Sequence, residues 1–313
     1  MDKNILIGAY ENALKIRSVE QIISENYHKG YMRCPTHLSI GQEMVASILS
    51  CFNNPNDLAV STHRSHAHYL GKGGQLKKLF DELHGLKSGC SGGKGGSMHL
   101  IDQNAGFVGS TAIVGNTIPI GVGLAEAQKL SNESFITYIF LGDGATEEGV
   151  FYESLNYASV RKLPCIFIIE NNEYSVYTPL KDRQGLLSIG KKCEAFNLNY
   201  YKVENHDFRY LYKTWRQVLE SCRSGDGPSV IEVFTHRYLE HCGPNKDDDL
   251  CYRPESFLKY WQDIDIIKSY EDYLIEYEIS SSDIKKMKIS ILEDCKKIFK
   301  LSEENHLQIR GNE

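Results

Sequence analysis

The chain has 313 residues, enough to bury a large α/β core as one big domain or two small ones, and its formal net charge is −6. That balance leaves no basic footprint for nucleic acid, and no apolar run approaches the ~20 residues that a membrane-spanning helix needs. The N-terminus, MDKNILIGAYENALKIRSVEQI, lacks a basic region ahead of a long apolar stretch and is acidic for a transit peptide, so a cytoplasmic protein is expected.

Residues 9–29 have helical spacing at Leu14, Ile16, Val19, Ile22 and Ile23, and 40–52 form a second helix candidate. LAVST (58–62) reads as a short buried strand, and 75–85 as a helix ending at Gly85. GCSGGKGGSMHL (89–100) holds five glycines and no strand or helix pattern, so it is a long loop of the kind that is usually functional or mobile. In 113–130, Gly115, Gly121, Gly123 and Ala125 let a helix pack closely on a neighbour. FITYIFL (135–141) and LPCIFIIE (163–170) are continuous apolar strands, buried on both faces as in parallel sheets, with a helix over 146–161 between them. Residues 178–192 read as a loop, 207–224 as a helix and SVIEVFTHRY (229–238) as a further strand. From Pro254 the tail is helical; Ile284, Met287, Ile291, Cys295 and Ile298 mark an amphipathic helix behind a cap at Ser282–Asp283. Nine cysteines, an odd number without Cys-x-x-Cys or zinc spacing to His, read as scattered reduced thiols, with Cys165 in the core. The expected fold is a single α/β domain over 1–313, an open, mostly parallel sheet with helices on both faces. Helical extensions lie at both ends, the C-terminal one over about 254–313.

The chemistry concentrates between Leu141 and Thr178. Gly-Asp-Gly follows the first apolar strand and Asn-Asn the second, placing Asp143 and Asn172 on neighbouring loops at the carboxyl edge of the sheet, where ligands of open α/β sheets bind. A helix N-terminus beside Asp143 offers an anion roughly 2 kcal/mol at most, little against a diphosphate. Mg²⁺ is the economical complement, taking a carboxylate from Asp143, an amide oxygen from Asn172 and a backbone carbonyl from Tyr174. A lone Gly-Asp-Gly is ordinarily a turn; its pairing with Asn-Asn across one βαβ unit points to a thiamine diphosphate enzyme. Upstream, His63, Arg64, His66 and His68 cluster after a strand. Zinc lacks a second ligand group there. A phosphate grip by the planar guanidinium, with a histidine moving protons, fits better, and a polar surface loop is the bland alternative.

From about His37 to Arg253 the chain resembles the α subunit of the E1 component of 2-oxo acid dehydrogenases, the pyruvate, branched-chain and acetoin group. The motifs are HLSIGQE (37–43), STHRSHAHYLGKGG (61–74), GCSGGKGGSMHL (89–100), GFVGSTAIVGNTIPIGVG (106–123), GDGATEEG (142–149), NYASVRKLPCIFIIENNEYSVYTP (156–179) and YLEHCGP (238–244). The resemblance implies a thiamine diphosphate-binding fold with thiamine diphosphate and Mg²⁺ as cofactors. Asp143, Asn172 and the backbone of Tyr174 would ligate the metal. Gly144 and Ala145 would meet the diphosphate through amides, Arg64 beside His63 would grip it, and Val114 beside Ala112 would lie against the cofactor's centre. His241 would stand at the catalytic end, with His66 and His37 as further catalytic candidates; His99 is a weaker candidate for the wall, and Lys94 with its glycines a mobile flap or an interface loop.

Three motifs depart from the family: His63 replaces a tyrosine, Ala112 a glycine, and Leu239-Glu-His-Cys242 stands for His-Gly-His-Ser. The last removes a serine that some relatives phosphorylate, so no such regulation is expected, and Glu240 adds negative charge. No glutamate that would activate thiamine is evident, Glu43 being placed as structural. The resemblance therefore implies an E1 β-type partner that supplies it in an α₂β₂ assembly, a small 2-oxo acid substrate and transfer to a lipoyl-bearing E2. A carboligase or split transketolase is the alternative enzyme, and a non-catalytic scaffold subunit the alternative of another class.

Overall fold

The computed structural model describes residues 2–132, 134–204 and 206–311. In chain order its helices are α1 (Lys3–Asn26), α2 (Glu43–Cys51), α3 (His66–Gly71), α4 (Leu76–Leu83), α5 (Thr117–Leu130), α6 (Gly149–Arg161), α7 (Leu180–Arg183), α8 (Ile189–Glu194), α9 (Phe208–Ser224), α10 (Glu255–Asp263), α11 (Ile266–Glu276) and α12 (Ser281–Arg310). Its strands are β1 (Leu58–Ser61), β2 (Phe107–Ser110), β3 (Thr137–Gly142), β4 (Cys165–Asn171), β5 (Tyr174–Ser175), β6 (Thr178–Pro179), β7 (Asn199–Val203) and β8 (Ser229–Phe234). Internal contacts sort the chain into two compact units. A sheet unit holds Asn54–His63 and Gln103–His236, and a helical unit holds Met1–Asn53, Arg64–Asp102 and Arg237–Glu313.

The sheet unit is built on six parallel strands in the order β2-β1-β3-β4-β8-β7. Strands β3 and β4 are apolar from Tyr138 to Leu141 and from Cys165 to Ile169 because both their faces are covered. Ile139, Leu141, Phe167 and Ile169 pack with Val122 and Ala125 of α5 and Phe151 and Leu155 of α6. On the opposite face Tyr138 meets Trp215 of α9, with ring centroids 5.7 Å apart. Gly121 of α5 is obligatory, since a Cβ there would lie 2.5 Å from Ile139 Cγ1; Gly123, read as a packing glycine, faces open space. The chain runs from β1 to β2 on one side, then returns to β3 on the other side of β1. This reversal opens a crevice at the carboxyl ends of β1 and β3.

Two strands of the six-stranded sheet escape the sequence pattern. β2 is only four residues long, and β7 is a polar edge strand in which Asn199 and Lys202 are exposed. The stretch 178–192, read as a loop, carries the β5–β6 hairpin's second strand and the short helices α7 and α8.

In the helical unit α1 begins six residues before its expected start, because Asp2 caps it by accepting from Asn4 N at 2.7 Å. Its buried stripe from Leu6 through Ile23 packs on α2, α11 and α12. The cap of α12 is Ser280, two residues earlier than expected, with Oγ accepting from Asp283 N at 3.1 Å. Its stripe places Ile284, Cys295 and Phe299 inward, and Phe299 meets Phe80 edge-on at 5.2 Å. All nine cysteines are free, and Cys165 is fully buried. Among the described residues no helix is long and apolar enough to cross a membrane.

Candidate cofactor and metal site

In the sheet unit Gly142 of β3 pairs with Glu170 of β4, so Asp143 and Asn172 leave adjacent strand ends on the same edge. Asp143 opens a short 3₁₀ turn, Asp143–Glu147, and α6 follows at Gly149, later than the sequence pattern suggests. Its carboxylate is 2% exposed. Burial pushes its pKa up, while the Arg183 guanidinium, which donates to Oδ2, pulls it down. Arg183 also donates to Glu147. The guanidinium thus sets a positive charge directly against the buried Asp143 carboxylate.

The two asparagines divide their work. Asn171 is fully buried; its Nδ2 donates to Glu232 Oε1 at 2.6 Å and its Oδ1 accepts from Glu173 N at 2.9 Å. Asn172 is half-buried, and its Oδ1 accepts from Tyr174 N at 3.2 Å, the turn that brings residue 174 alongside. Of the pair, only Asn172 is not fully buried. Glu173 (φ 65°) and Val176 (φ 54°) hold left-handed backbone in this hairpin, a local cost of about 1–3 kcal/mol each that tends to gather at ligand loops. The Glu173 carboxyl is raised by burial and by Asp143.

Gly144 lies against the same hairpin: a Cβ there would sit 2.9 Å from Ser175 Oγ, so only glycine keeps this backbone open. Ala145 is buried behind it. Beyond β2, Ala112 and Val114 lie in a bend closed by Gly115 (φ 77°), whose Cβ would meet Glu148 Cγ at 2.9 Å. Val114 is 50% exposed, an apolar side chain held outward. His63 is half-buried just after β1. A buried carboxylate already paired with a cation, an adjacent amide oxygen, an open glycine and an outward valine suit a divalent metal with a diphosphate and an apolar ring system.

The helical unit carries the other candidates. Arg64 is 6% exposed and its guanidinium is fixed by two backbone carbonyls, donating to Leu38 O at 2.5 Å and His241 O at 3.1 Å. His37 and His241 meet edge-on at 5.2 Å. Burial and then the Arg64 charge hold His37 down to about 3 and His241 to about 4, with Arg237 adding to both. Both rings are neutral at neutral pH, and pKa values this low make them hydrogen-bonding groups rather than proton shuttles.

His66 sits differently from its expected catalytic role. It is fully buried, with Nδ1 3.0 Å from Glu20 Oε1 and Nε2 2.8 Å from Ser97 Oγ, so both ring nitrogens are spent inside the protein. Glu20 also accepts from Ser39 N, which makes Glu20–His66–Ser97 a strut beneath the His37 segment. The glycine loop is likewise anchored, not a free flap. Glu82 accepts from the amides of Ser91, Gly93, Gly95 and Gly96 at 2.7–3.1 Å, and His99 remains exposed. Glu43 is structural: it is fully buried and binds Arg17 and the Gly41 amide.

Known proteins settle the assignment. The model of the family described as "Dehydrogenase E1 component" matches residues 11–309. The chain belongs to that family. It is 34% identical over 306 residues to a pyruvate dehydrogenase E1 component subunit alpha of Rickettsia prowazekii, covering 97% of this chain and 93% of the relative. A subunit of the same name from Porphyra purpurea is 33% identical, covering 90% and 83%. The alpha subunit of acetoin:2,6-dichlorophenolindophenol oxidoreductase from Bacillus subtilis is 31% identical, covering 95% and 88%. As an E1 α-type subunit the chain is part of an oxidoreductase of thiamine diphosphate-dependent 2-oxo acid decarboxylation, a family organised with a β subunit.

Arg183 and Glu82 were not legible as site residues. Arg183 lies in a stretch without periodicity, and Glu82 serves backbone amides, which leave no mark in a sequence. Glu20 did leave one: a carboxylate between Ile16 and Ile23 on the buried stripe of α1.

Proposed function

We propose that this E1 α subunit holds Mg²⁺ through Asp143, Asn172 and the Tyr174 carbonyl, and that with its β partner it decarboxylates pyruvate or a close 2-oxo acid. The observation that carries the metal assignment is the buried Asp143 carboxylate, engaged by a cation, with the half-buried Asn172 leaving the neighbouring strand end. In this reading residues 1–313 work as one thiamine diphosphate-binding domain with a helical tail from about 254, in a cytoplasmic setting.

Thiamine diphosphate, when bound, supplies the electron sink that the decarboxylation requires. The protein's share is placement and electrostatics. Asp143 and Asn172 offer hard oxygens in fixed positions, set by the β3–β4 register. Gly144 and Ala145 present backbone amides to phosphate oxygens, and Val114, flanked by Ala112, presents an apolar surface. Arg64, its plane fixed by two carbonyls, is assigned the diphosphate grip, and His63 a polar cofactor-binding role. His37 and His241, kept neutral, donate or accept a hydrogen bond at the substrate end without adding charge. His66 positions this segment through Glu20 and Ser97 instead of touching substrate. The activating glutamate is assigned to the β partner, and the acyl group to a lipoyl-bearing E2.

The test is pyruvate-dependent acylation of a lipoyl domain by the chain combined with its β partner, Mg²⁺ and thiamine diphosphate. Transfer that disappears in Asp143→Ala supports the assignment. Retained activity in that variant overturns the metal site, and carboligation without lipoyl transfer overturns the oxidative reading.

A further inference from the structure

Strand β8 runs Ser229-Val-Ile-Glu-Val-Phe234, and its one charged residue, Glu232, is 2% exposed inside the parallel sheet. A carboxylate taken out of water is costly unless donors meet its oxygens. Both oxygens are met here: Oε1 accepts from Asn171 Nδ2 at 2.6 Å, and Oε2 accepts from the Tyr200 hydroxyl. Burial raises the Glu232 pKa, and these two hydrogen bonds pull it back down. Burial and then the Glu232 charge raise the pKa of Tyr200, so the phenol keeps its hydrogen and donates. Its ring lies so close to Gly190 of α8 that a Cβ on that glycine would collide with it. The strand register explains the meeting. Ile169 pairs with Glu232, Asn171 with Phe234 and Tyr200 with Val230, so Asn171, Glu232 and Tyr200 stand on one face of β4, β8 and β7.

The carboxylate decides which way Asn171 is turned. With both oxygens accepting, Glu232 takes the NH₂ end of the Asn171 amide, and Oδ1 then faces Glu173 N, from which it accepts at 2.9 Å. Turned over, the amide would set oxygen against oxygen at Glu232 and NH₂ against N–H at Glu173. Glu173 has φ 65°, a left-handed backbone that needs support from its surroundings, and it stands between Asn172 and Tyr174. Asn172 Oδ1 accepts from Tyr174 N in the same turn. The hydrogen-bonded series Tyr200, Glu232, Asn171, Glu173 therefore runs from the edge strand to the hairpin that carries two of the three oxygens assigned to the metal.

We propose that Glu232 is a positioning residue of the metal site: through Asn171 it holds Glu173 in its left-handed turn, and so sets where Asn172 and the Tyr174 carbonyl stand. Asn171 is the second member of this device, oriented by Glu232 and touching no metal itself. The inference rests on the ligand set of the proposed function.

The experiment measures Mn²⁺ affinity by electron paramagnetic resonance, in the assembly with its β partner and saturating thiamine diphosphate. Glu232→Gln keeps the shape but can present either NH₂ or oxygen to Asn171, so the amide is no longer forced one way; Mn²⁺ binding is expected to weaken about tenfold. Tyr200→Phe removes one of the two donors that hold the carboxylate and should weaken binding about threefold, a second reading should Glu232→Gln fail to assemble. Asn171→Ala should weaken binding at least as much as Glu232→Gln, and adding Glu232→Gln to it should have no further effect. A glutamate that only stabilised the sheet would lower the melting temperature of the metal-free assembly and leave Mn²⁺ affinity unchanged. That result, or additive losses in the double variant, would overturn the inference. Asp143→Ala separates it from the reading beneath it. Mn²⁺ binding retained in that variant overturns the ligand set itself, whereas binding lost there but unchanged in Glu232→Gln and Tyr200→Phe overturns only the role of Glu232.

Discussion

Glu82→Gln tests how the glycine loop is held. Glu82 lies in α4, nearly fully buried, and accepts four backbone amides, two on each carboxylate oxygen. The substitution keeps the shape but turns one oxygen into an NH₂, so two amides face a donor and the other two lose a charged acceptor. A hydrogen bond to a charged group contributes about 1.5–3 kcal/mol, so losing two gives about 3–6 kcal/mol of local destabilisation. Gly93, Gly95 and Gly96 sit where no side chain fits, since a Cβ on them would come within 2.6 Å of Gly85, 2.0 Å of the His99 carbonyl oxygen and 2.8 Å of Cys34 Cβ. At about 1.4 kcal/mol per factor of ten, amide exchange over 89–100 should accelerate by roughly 10²- to 10⁴-fold. Hydrogen–deuterium exchange mass spectrometry on the cofactor-free assembly reads this directly, with α9 as an internal control. Exchange over the loop within about threefold of the unmodified protein would refute the clamp.

Three further outcomes follow from the site. Gly144→Ala puts a methyl 2.9 Å from Ser175 Oγ, an overpacking of about 1–3 kcal/mol; thiamine diphosphate affinity should fall, and Ser175→Gly should restore it in a binding titration. Arg183→Met removes the cation from buried Asp143, so Mg²⁺ should raise the melting temperature more in the variant than in the unmodified protein; an equal increment would contradict the competition. His37 and His241 have folded pKa values of about 3 and about 4 against an ordinary 6.5, so the unfolded chain binds protons that the folded chain refuses. Stability is therefore complete above pH ~6.5 and declines as the pH falls toward 4, and His37→Gln should flatten that decline in thermal melts.

What the sequence discloses is set by how many residues share a physical constraint. Strands β3 and β4 are buried on both faces, so every residue from Tyr138 to Leu141 and from Cys165 to Ile169 reports it, and the Asp143–Asn172 pairing follows from their ends. β2 and β7 impose little on their side chains, one being short and the other a polar edge, and they leave no pattern. The short helices α7 and α8 lie below the length at which periodicity shows. Residue chemistry located the histidines but not their roles. Only burial shows that His66 is locked between Glu20 and Ser97, and only the surrounding charges show that His37 and His241 stay neutral. Among the glycines, Gly121 and Gly123 look alike in sequence and differ because only one faces Ile139.

The most direct measurement is native mass spectrometry of the chain co-expressed with its β partner in Mg²⁺ and thiamine diphosphate, beside the Asp143→Ala form. The expected result is an α₂β₂ mass carrying two thiamine diphosphates and two Mg²⁺, with the same assembly formed but both ligands lost in Asp143→Ala. Cofactor retained by Asp143→Ala, or an α-only oligomer that binds thiamine diphosphate and decarboxylates a 2-oxo acid unaided, would contradict the account.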